Sequence, residues 1–405
     1  MNRGLRILFV APYVPSPMRV RPYAFIRELA ARGHEVTLVC LLQPAREEQY
    51  LSEVRGYCRD VHPIHLGRVK SVWNALASLP TGTPASVAYC RSDEARNAVR
   101  ELAERDGFDL IHTEFVRAAQ FTEDIDGPPR VFDAVDSLAL AYRRSISAAH
   151  VPPKQRLLAL AEWAKMRGFE PRMLQRFDRV LVSSPADRDA LQRDGKSDIA
   201  VVPNGVDTDY FAFHDGPRED DTIVFLGKMS YYVNVAAVQW FYRRVFPLIR
   251  KRRPNARFKI VGREPVRKIM ALAEDPAVEV TGTVEDVRPY LAYAAVAVCP
   301  MVTGSGIQNK MLEAMAMGAP VVSTSIACQA LAVERGLDAL VADTPQEFAD
   351  CVLRLMDDRQ SRAELAHRAR RYVEQSHDWR AIGGSLEEIY NGLLSGNTGG
   401  QHPTI

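Results

Sequence analysis

Several stretches of this 405-residue sequence carry side chains whose types and spacing could do chemistry. The first is Thr303-Gly304-Ser305-Gly306-Ile307, followed by Lys310 and Glu313. A glycine-rich turn opening a helix lets backbone N–H groups converge, the usual physical basis of an anion site. Lys310 and Glu313 lie together on one helix face, while Ile307, Met311, Ala314 and Met315 share another. Backbone donors, an ammonium and a carboxylate suit a nucleotide sugar, whose diphosphate needs donors and positive charge and whose ribose hydroxyls need an acceptor. The alternative is a surface i,i+3 pair of little energetic weight.

In Asp109–Phe115, alternation puts His112 and Glu114 on the same side of a strand, at the carboxyl end where α/β folds place ligands. They are candidates for contact with a substrate hydroxyl, or His112 is a satisfied structural histidine. Arg19 and Arg21, in the loop after the first strand, would pair with phosphate or stay solvated. Asp136, ending the segment Val131–Ser137, would contact an acceptor or, like Ser137, cap the next helix. Lys228 follows Gly227 at the end of an apolar run, and Gly262 ends another. Asp207 and Asp209 have a spacing seen in metal sites, but they follow a turn in a linker, and no metal is expected.

The elements that would position these groups are strands alternating with helices. Arg6–Val10, a helix from about Pro22 to Arg32 stopped by Gly33, and the strand Glu35–Leu41 form the crossover unit of a parallel sheet. No glycine lies between Arg6 and Arg32, which disfavours a dinucleotide-binding Rossmann enzyme. Further strands are expected at Arg179–Ser183, Ile199–Val202, Thr222–Leu226, Arg257–Val261, Val278–Gly282 and Pro320–Thr324. Long helices are expected at Pro153–Arg176, Val235–Arg252, Arg362–Gln375 and Trp379–Leu394. The first of these is basic, so it presents a solvated face or touches an anionic membrane surface.

The length exceeds one comfortable core, so two domains are expected. A net charge of +2 argues against a nucleic-acid binder driven by gross charge. The six cysteines show no C-x-x-C pairing and read as buried free thiols of a reducing cytosol. The first apolar run ends at a proline within a few residues, like a strand rather than a signal peptide, and no run is long enough to span a membrane.

The run Gly304–Thr324, with Glu313-Ala314-Met315-Ala316, resembles the donor-site signature of retaining GT-B glycosyltransferases of the family 4 (group 1) type. Pro203-Asn204-Gly205-Val206-Asp207, running on to Phe211, resembles the inter-domain signature of the same family. That family has two glutamates eight apart around the donor. Glu313 matches the second, while the first falls on Ser305, a departure; relatives with a Gly-x-Gly-Ile-x-Asn-Lys loop use backbone there instead. The resemblance implies an α/β fold of two Rossmann-like domains facing across a cleft. Residues 1–205 would be the acceptor-side domain, 206–378 the donor-binding domain, 379–395 a helix crossing back to the first, and 396–405 a disordered tail.

It further implies a metal-independent hexosyl transfer from a nucleotide sugar to a saccharide or lipid-linked acceptor, in cell-surface polysaccharide or glycolipid synthesis. The nucleotide sugar is a co-substrate, and no cofactor is expected. Lys228 would stand where relatives carry an arginine that meets the donor diphosphate, Val284 where backbone reads the nucleobase, and His112 and Glu114 where the acceptor lies. Gly227, Gly262 and Gly304 to Ile307 complete the expected donor site, and Arg19, Arg21 and Asp136 the expected acceptor or phosphate contacts. The expected location is the cytoplasm, free or peripheral to the inner face of the cell membrane. A sugar-nucleotide 2-epimerase and a non-catalytic nucleotide-sugar-binding module share the fold and stay open as alternatives.

Overall fold

The computed structural model describes residues 4–42, 47–147, 153–192, 198–303, 307–331 and 333–396. The chain divides into two compact units, Met1–Pro203 with Ile382–Ile405, and Asn204–Ala381. The proposed tail beyond Gly396 lies outside the described residues.

The first unit is built on a seven-stranded parallel sheet of order β3-β2-β1-β4-β5-β6-β7. Its strands are β1 (Arg6–Ala11), β2 (Glu35–Leu42), β3 (Asp60–His65), β4 (Leu110–Glu114), β5 (Arg130–Val135), β6 (Arg179–Val182) and β7 (Ile199–Val201). Central strands such as β1 are buried almost throughout, as a sheet covered on both faces requires. The order reverses between β1 and β4, so the loops after these two strands diverge and leave a crevice at their carboxyl ends. The first helix begins at Val20, not Pro22, with Pro22 in its first turn, where a missing N–H costs nothing. That start removes Arg21 from the loop in which the sequence reading had placed it.

The second unit holds a six-stranded sheet of order β10-β9-β8-β11-β12-β13, again with its switch point, here between β8 and β11. The strands are β8 (Glu219–Leu226), β9 (Arg257–Val261), β10 (Val278–Gly282), β11 (Ala294–Cys299), β12 (Val321–Ser323) and β13 (Leu340–Val341). Every pairing in both sheets is parallel. The helix expected over Val235–Arg252 starts at Tyr232 and is interrupted by one wide turn, Phe241–Val245. Pro247 follows at once; its missing N–H is accommodated by that change of register. The last helix, Trp379–Leu394, belongs from Ile382 onward to the first unit. Among the described residues no helix is long and apolar enough to cross a membrane.

Candidate functional site

In the second unit, chemistry gathers at the carboxyl ends of β8, β9 and β11. Gly227 and Gly262 end adjacent strands so close together that a Cβ on Gly262 would lie 1.8 Å from the Gly227 carbonyl oxygen, and Gly262 has φ +148°. Only glycine fits, and the strand ends present bare backbone. Lys310, in the first turn of the helix Asn309–Ala316 that follows β11, reaches across the switch point. Its Nζ donates to Asn234 Oδ1 at 2.6 Å and lies 4.7 Å from the centre of the Phe225 ring. Asn234 Nδ2 in turn donates to the Lys228 carbonyl at 3.0 Å. The helix carrying Asn234 therefore holds the lysine against the end of β8.

Glu313 lies one turn further along the same helix, half-buried, its carboxyl with no hydrogen bond or ion pair among the described residues. Burial pushes its carboxyl up to about 7, opposed only by the charge of Lys310. Burial likewise lowers the Lys310 ammonium from its ordinary value, opposed by Cys299 and Glu313. Both charged forms are thus under-compensated, as at a site that awaits polar ligand groups. Ile307 precedes the helix and leans on the apolar core with Met311 and Met315, and Val284 leans on the same core beyond the end of β10. Gly304, Ser305 and Gly306 lie outside the described residues.

Lys228 is exposed, and its Nζ pairs with Glu264 Oε2 at 2.9 Å. Glu264 takes the left-handed backbone at φ +57° and also accepts from Ser230 Oγ at 2.8 Å. Sequence reasoning missed both Asn234 and Glu264. Asn234 could have been noticed as a buried polar side chain in the first turn of an apolar helix; Glu264 gives no local signal of its partner.

The first unit gathers a second cluster, around His112, Glu114 and Arg21, with Arg19 beside it. His112 is fully buried, stacked on Phe9 at 4.4 Å between ring centres, with Nδ1 2.7 Å from the Tyr390 hydroxyl. Glu114 is equally buried and accepts from the Tyr13 hydroxyl at 3.3 Å. Alternation did place the two on one side, with His112 Nε2 4.0 Å from Glu114 Oε2, but that side is closed by tyrosines from distant segments. Neither residue presents an open face to an acceptor hydroxyl. Burial lowers the imidazole to about 4, so it is neutral near pH 7, and raises the Glu114 carboxyl well above its usual range.

Arg21 is no loop cation. Its guanidinium grips Asp133 through two bonds of 2.6 and 3.0 Å and donates to the Val202 carbonyl at 2.8 Å. Arg19 pairs with Glu47 at 2.6 Å and stacks over Tyr13. Asp136 accepts from Ser183 Oγ at 2.8 Å, leaving the cap of the next helix to Ser137, whose Oγ accepts from the Leu140 amide at 3.2 Å.

His112, Glu114 and Asp133 are the one trio of metal-ligating type brought together among the described residues. Both Asp133 oxygens are already taken by Arg21, so a dication would have to displace a buried guanidinium. Asp207 is spent on the Asp209 and Tyr210 amides, and Asp209 pairs with Arg380.

Comparison with known proteins agrees with this arrangement. Residues 19–210 match the sequence model of "Glycosyltransferase Family 4", and residues 220–358 that of "Glycosyl transferases group 1". A Klebsiella pneumoniae protein described as an uncharacterized 44.6 kDa protein in the cps region is 20% identical over 370 residues, 88% of this chain and 92% of its own. The D-inositol 3-phosphate glycosyltransferase of Paenarthrobacter aurescens is 29% identical over 252 residues, 56% of this chain and 60% of its own. Anabaena HepE, solved in complex with UDP and glucose, superimposes with a TM-score of 0.67 at 15% identity, covering 96% of this chain and all of HepE. That likeness shows the fold, two Rossmann-like parallel-sheet domains of the GT-B class. With most of its length matched in turn by these two models, the chain belongs to the family 4, or group 1, glycosyltransferases.

Proposed function

We propose that the second unit binds a nucleoside-diphosphate sugar at the carboxyl ends of β8, β9 and β11. The sugar would pass with retention, and without a bound metal, to a saccharide or lipid-linked acceptor in cell-surface polysaccharide or glycolipid synthesis. One observation carries the donor site: Glu313, a half-buried carboxyl without a partner, beside the desolvated ammonium of Lys310 and the bare backbone of Gly227 and Gly262. Ribose hydroxyls satisfy the first, and a diphosphate satisfies the second and can approach the third. HepE, solved with UDP and glucose, supports a ligand of this class, and the relative from a cps region supports the polysaccharide setting.

Departure of the diphosphate concentrates negative charge on its oxygens. Lys310, pre-positioned by Asn234, stabilises that charge, and Lys228 does so by exchanging Glu264 for phosphate. Preorganised electrostatics of this kind is commonly the largest catalytic term. The commitments of Asp133, Asp207 and Asp209 support metal independence, because none offers a free carboxylate pair. The test is a panel of UDP-, GDP-, ADP- and TDP-sugars, with and without saccharide and lipid-linked acceptors, followed by calorimetry and product analysis. Acceptor-dependent turnover of one donor is expected. Epimerisation without acceptor, or binding with no turnover on any acceptor, would overturn the transfer reading.

A further inference from the structure

The helix Arg68–Ala77 in the first unit is built inside out. Its inward positions, at helical spacing, are polar: Ser71 is fully buried, Asn74 Nδ2 donates to the Arg91 carbonyl at 2.9 Å, and Ser78 just past the end is buried. Its outward positions are apolar. Val69, Val72, Trp73 and Leu76, with Leu79 beyond the end, are 74, 50, 67, 51 and 62% exposed. Scattered exposed apolar residues need no explanation, but a continuous stripe with tryptophan at its centre is the reverse of what a helix packed on a core shows.

A second helix of the same unit, Pro153–Leu174, extends the patch. Lys165 Nζ donates to the Ser78 and Leu79 carbonyls at 2.7 and 3.0 Å, which anchors this helix to the end of the first. Leu158, Glu162 and Lys165 lie on one face of it, and Leu157, Leu158 and Leu160 are 68, 61 and 45% exposed.

Charge distribution identifies what covers the stripe. Arg68, Lys70, Lys154 and Arg167 are exposed on these two helices. The Arg68–Ala77 helix has no acidic residue, and the acids of the other are consumed inside the unit. Glu162 accepts from the Ala85 amide at 2.9 Å and from Ser86 Oγ, while Glu170 is buried and accepts from the Leu138 amide at 2.8 Å. An apolar stripe with an exposed indole, flanked by cations and cleared of carboxylates, is complementary to an anionic lipid bilayer. The bilayer interface takes tryptophan and leucine while its headgroups attract lysine and arginine. A second copy of the chain would instead set cations against cations.

We propose that this face seats the protein on an anionic lipid surface, with Trp73 and Leu76 at the boundary of headgroups and acyl chains. The proposal goes beyond sugar transfer and is tested without a donor. The full chain is co-sedimented with vesicles of phosphatidylcholine alone or mixed with phosphatidylglycerol, and tryptophan emission is recorded. Binding to the mixed vesicles, weakened by salt and accompanied by a blue shift, is expected. Trp73→Glu/Leu76→Glu should lower partitioning about tenfold or more, with the thermal midpoint held because both side chains are exposed. Arg68→Glu/Lys70→Glu should abolish the preference for phosphatidylglycerol. The proposal is overturned if the protein ignores both vesicle types, or if the Trp73→Glu/Leu76→Glu variant binds as the parent does. It is equally overturned if the protein is a dimer in solution that this variant splits without any vesicle binding.

Discussion

If Glu313 accepts the ribose hydroxyls, donor affinity must follow its ionisation. Burial pushes its carboxyl up to about 7. The carboxylate fraction therefore rises from about one tenth at about pH 6 to about nine tenths at about pH 8. A diphosphate diester has no group titrating in that window, so the pH dependence belongs to the protein. Donor Kd should tighten roughly tenfold over the interval, about 1.4 kcal/mol. Glu313→Gln keeps shape and one acceptor oxygen but cannot titrate; its curve should be flat and, at the alkaline end, weaker by about 1.5–3 kcal/mol. Stability carries the opposite sign. With the native pKa raised, the folded chain holds a proton that the unfolded chain releases between the ordinary carboxylate range and about 7. Stability therefore falls as pH rises through that window, by at most about 3 kcal/mol, and Glu313→Gln should melt higher than the parent above it. Calorimetric titration with a nucleotide sugar across this range, paired with thermal melts, measures both. A pH-independent parent Kd, or the same slope in the variant, would refute the assignment.

Lys228→Ala should lower kcat by on the order of 10²–10³ with a smaller rise in donor KM, and Lys228→Arg should recover much of it, as steady-state kinetics will show. Arg21→Met leaves Asp133 buried and unpaired, at a cost of about 3–5 kcal/mol in denaturant unfolding, whereas Arg21→Met/Asp133→Asn should recover part of that loss. Gly262→Ala should lower the melting temperature more than Gly227→Ala, because the first meets backbone at 1.8 Å and the second only the Asn234 amide at 2.7 Å. The second should instead loosen Lys310 and weaken donor binding. Turnover should survive EDTA, and full loss restored by manganese would contradict metal independence.

The alternation of strand and helix was legible because buried parallel strands are short apolar runs ended by glycine or proline, as in β1, β8 and β11. The edge strand β3 was not, since Asp60-Val61-His62-Pro63-Ile64-His65 is mostly half-exposed and carries a proline. The Arg68–Ala77 helix shows why periodicity alone misleads: a 3.6-residue stripe marks a face but not which way it points. In the second unit Lys310 and Glu313 were legible because helix spacing binds them to each other. In the first, the pairing of His112 and Glu114 on one side was legible but their burial was not, since what closes over them comes from far along the chain. Tyr390 is 278 residues from His112, and Arg21 is 112 from Asp133.

The two clusters differ in whether their charge is closed. Around His112 one guanidinium is matched to one carboxylate, beside an imidazole that burial lowers to about 4 and a Glu114 carboxyl that burial raises well above its usual range. The backbone beside this network is strained. Phe115 and Val135, immediately after β4 and at the end of β5, stand at φ +67° and +65°, a region that bulky and β-branched residues rarely enter. Strain of about 1–3 kcal/mol at each persists only when neighbouring groups over-determine the chain. Glu114 and Asp133, opposite each other across the β4–β5 pairing and each tied down, do so. The buried cluster thereby fixes the start of the two loops leaving the sheet at its carboxyl rim. Around Glu313 and Lys310 the account is left open, a raised carboxyl and a lowered ammonium with one amide between them and the sheet. On the proposed reading, a ligand that brings hydroxyl donors and negative charge together closes it.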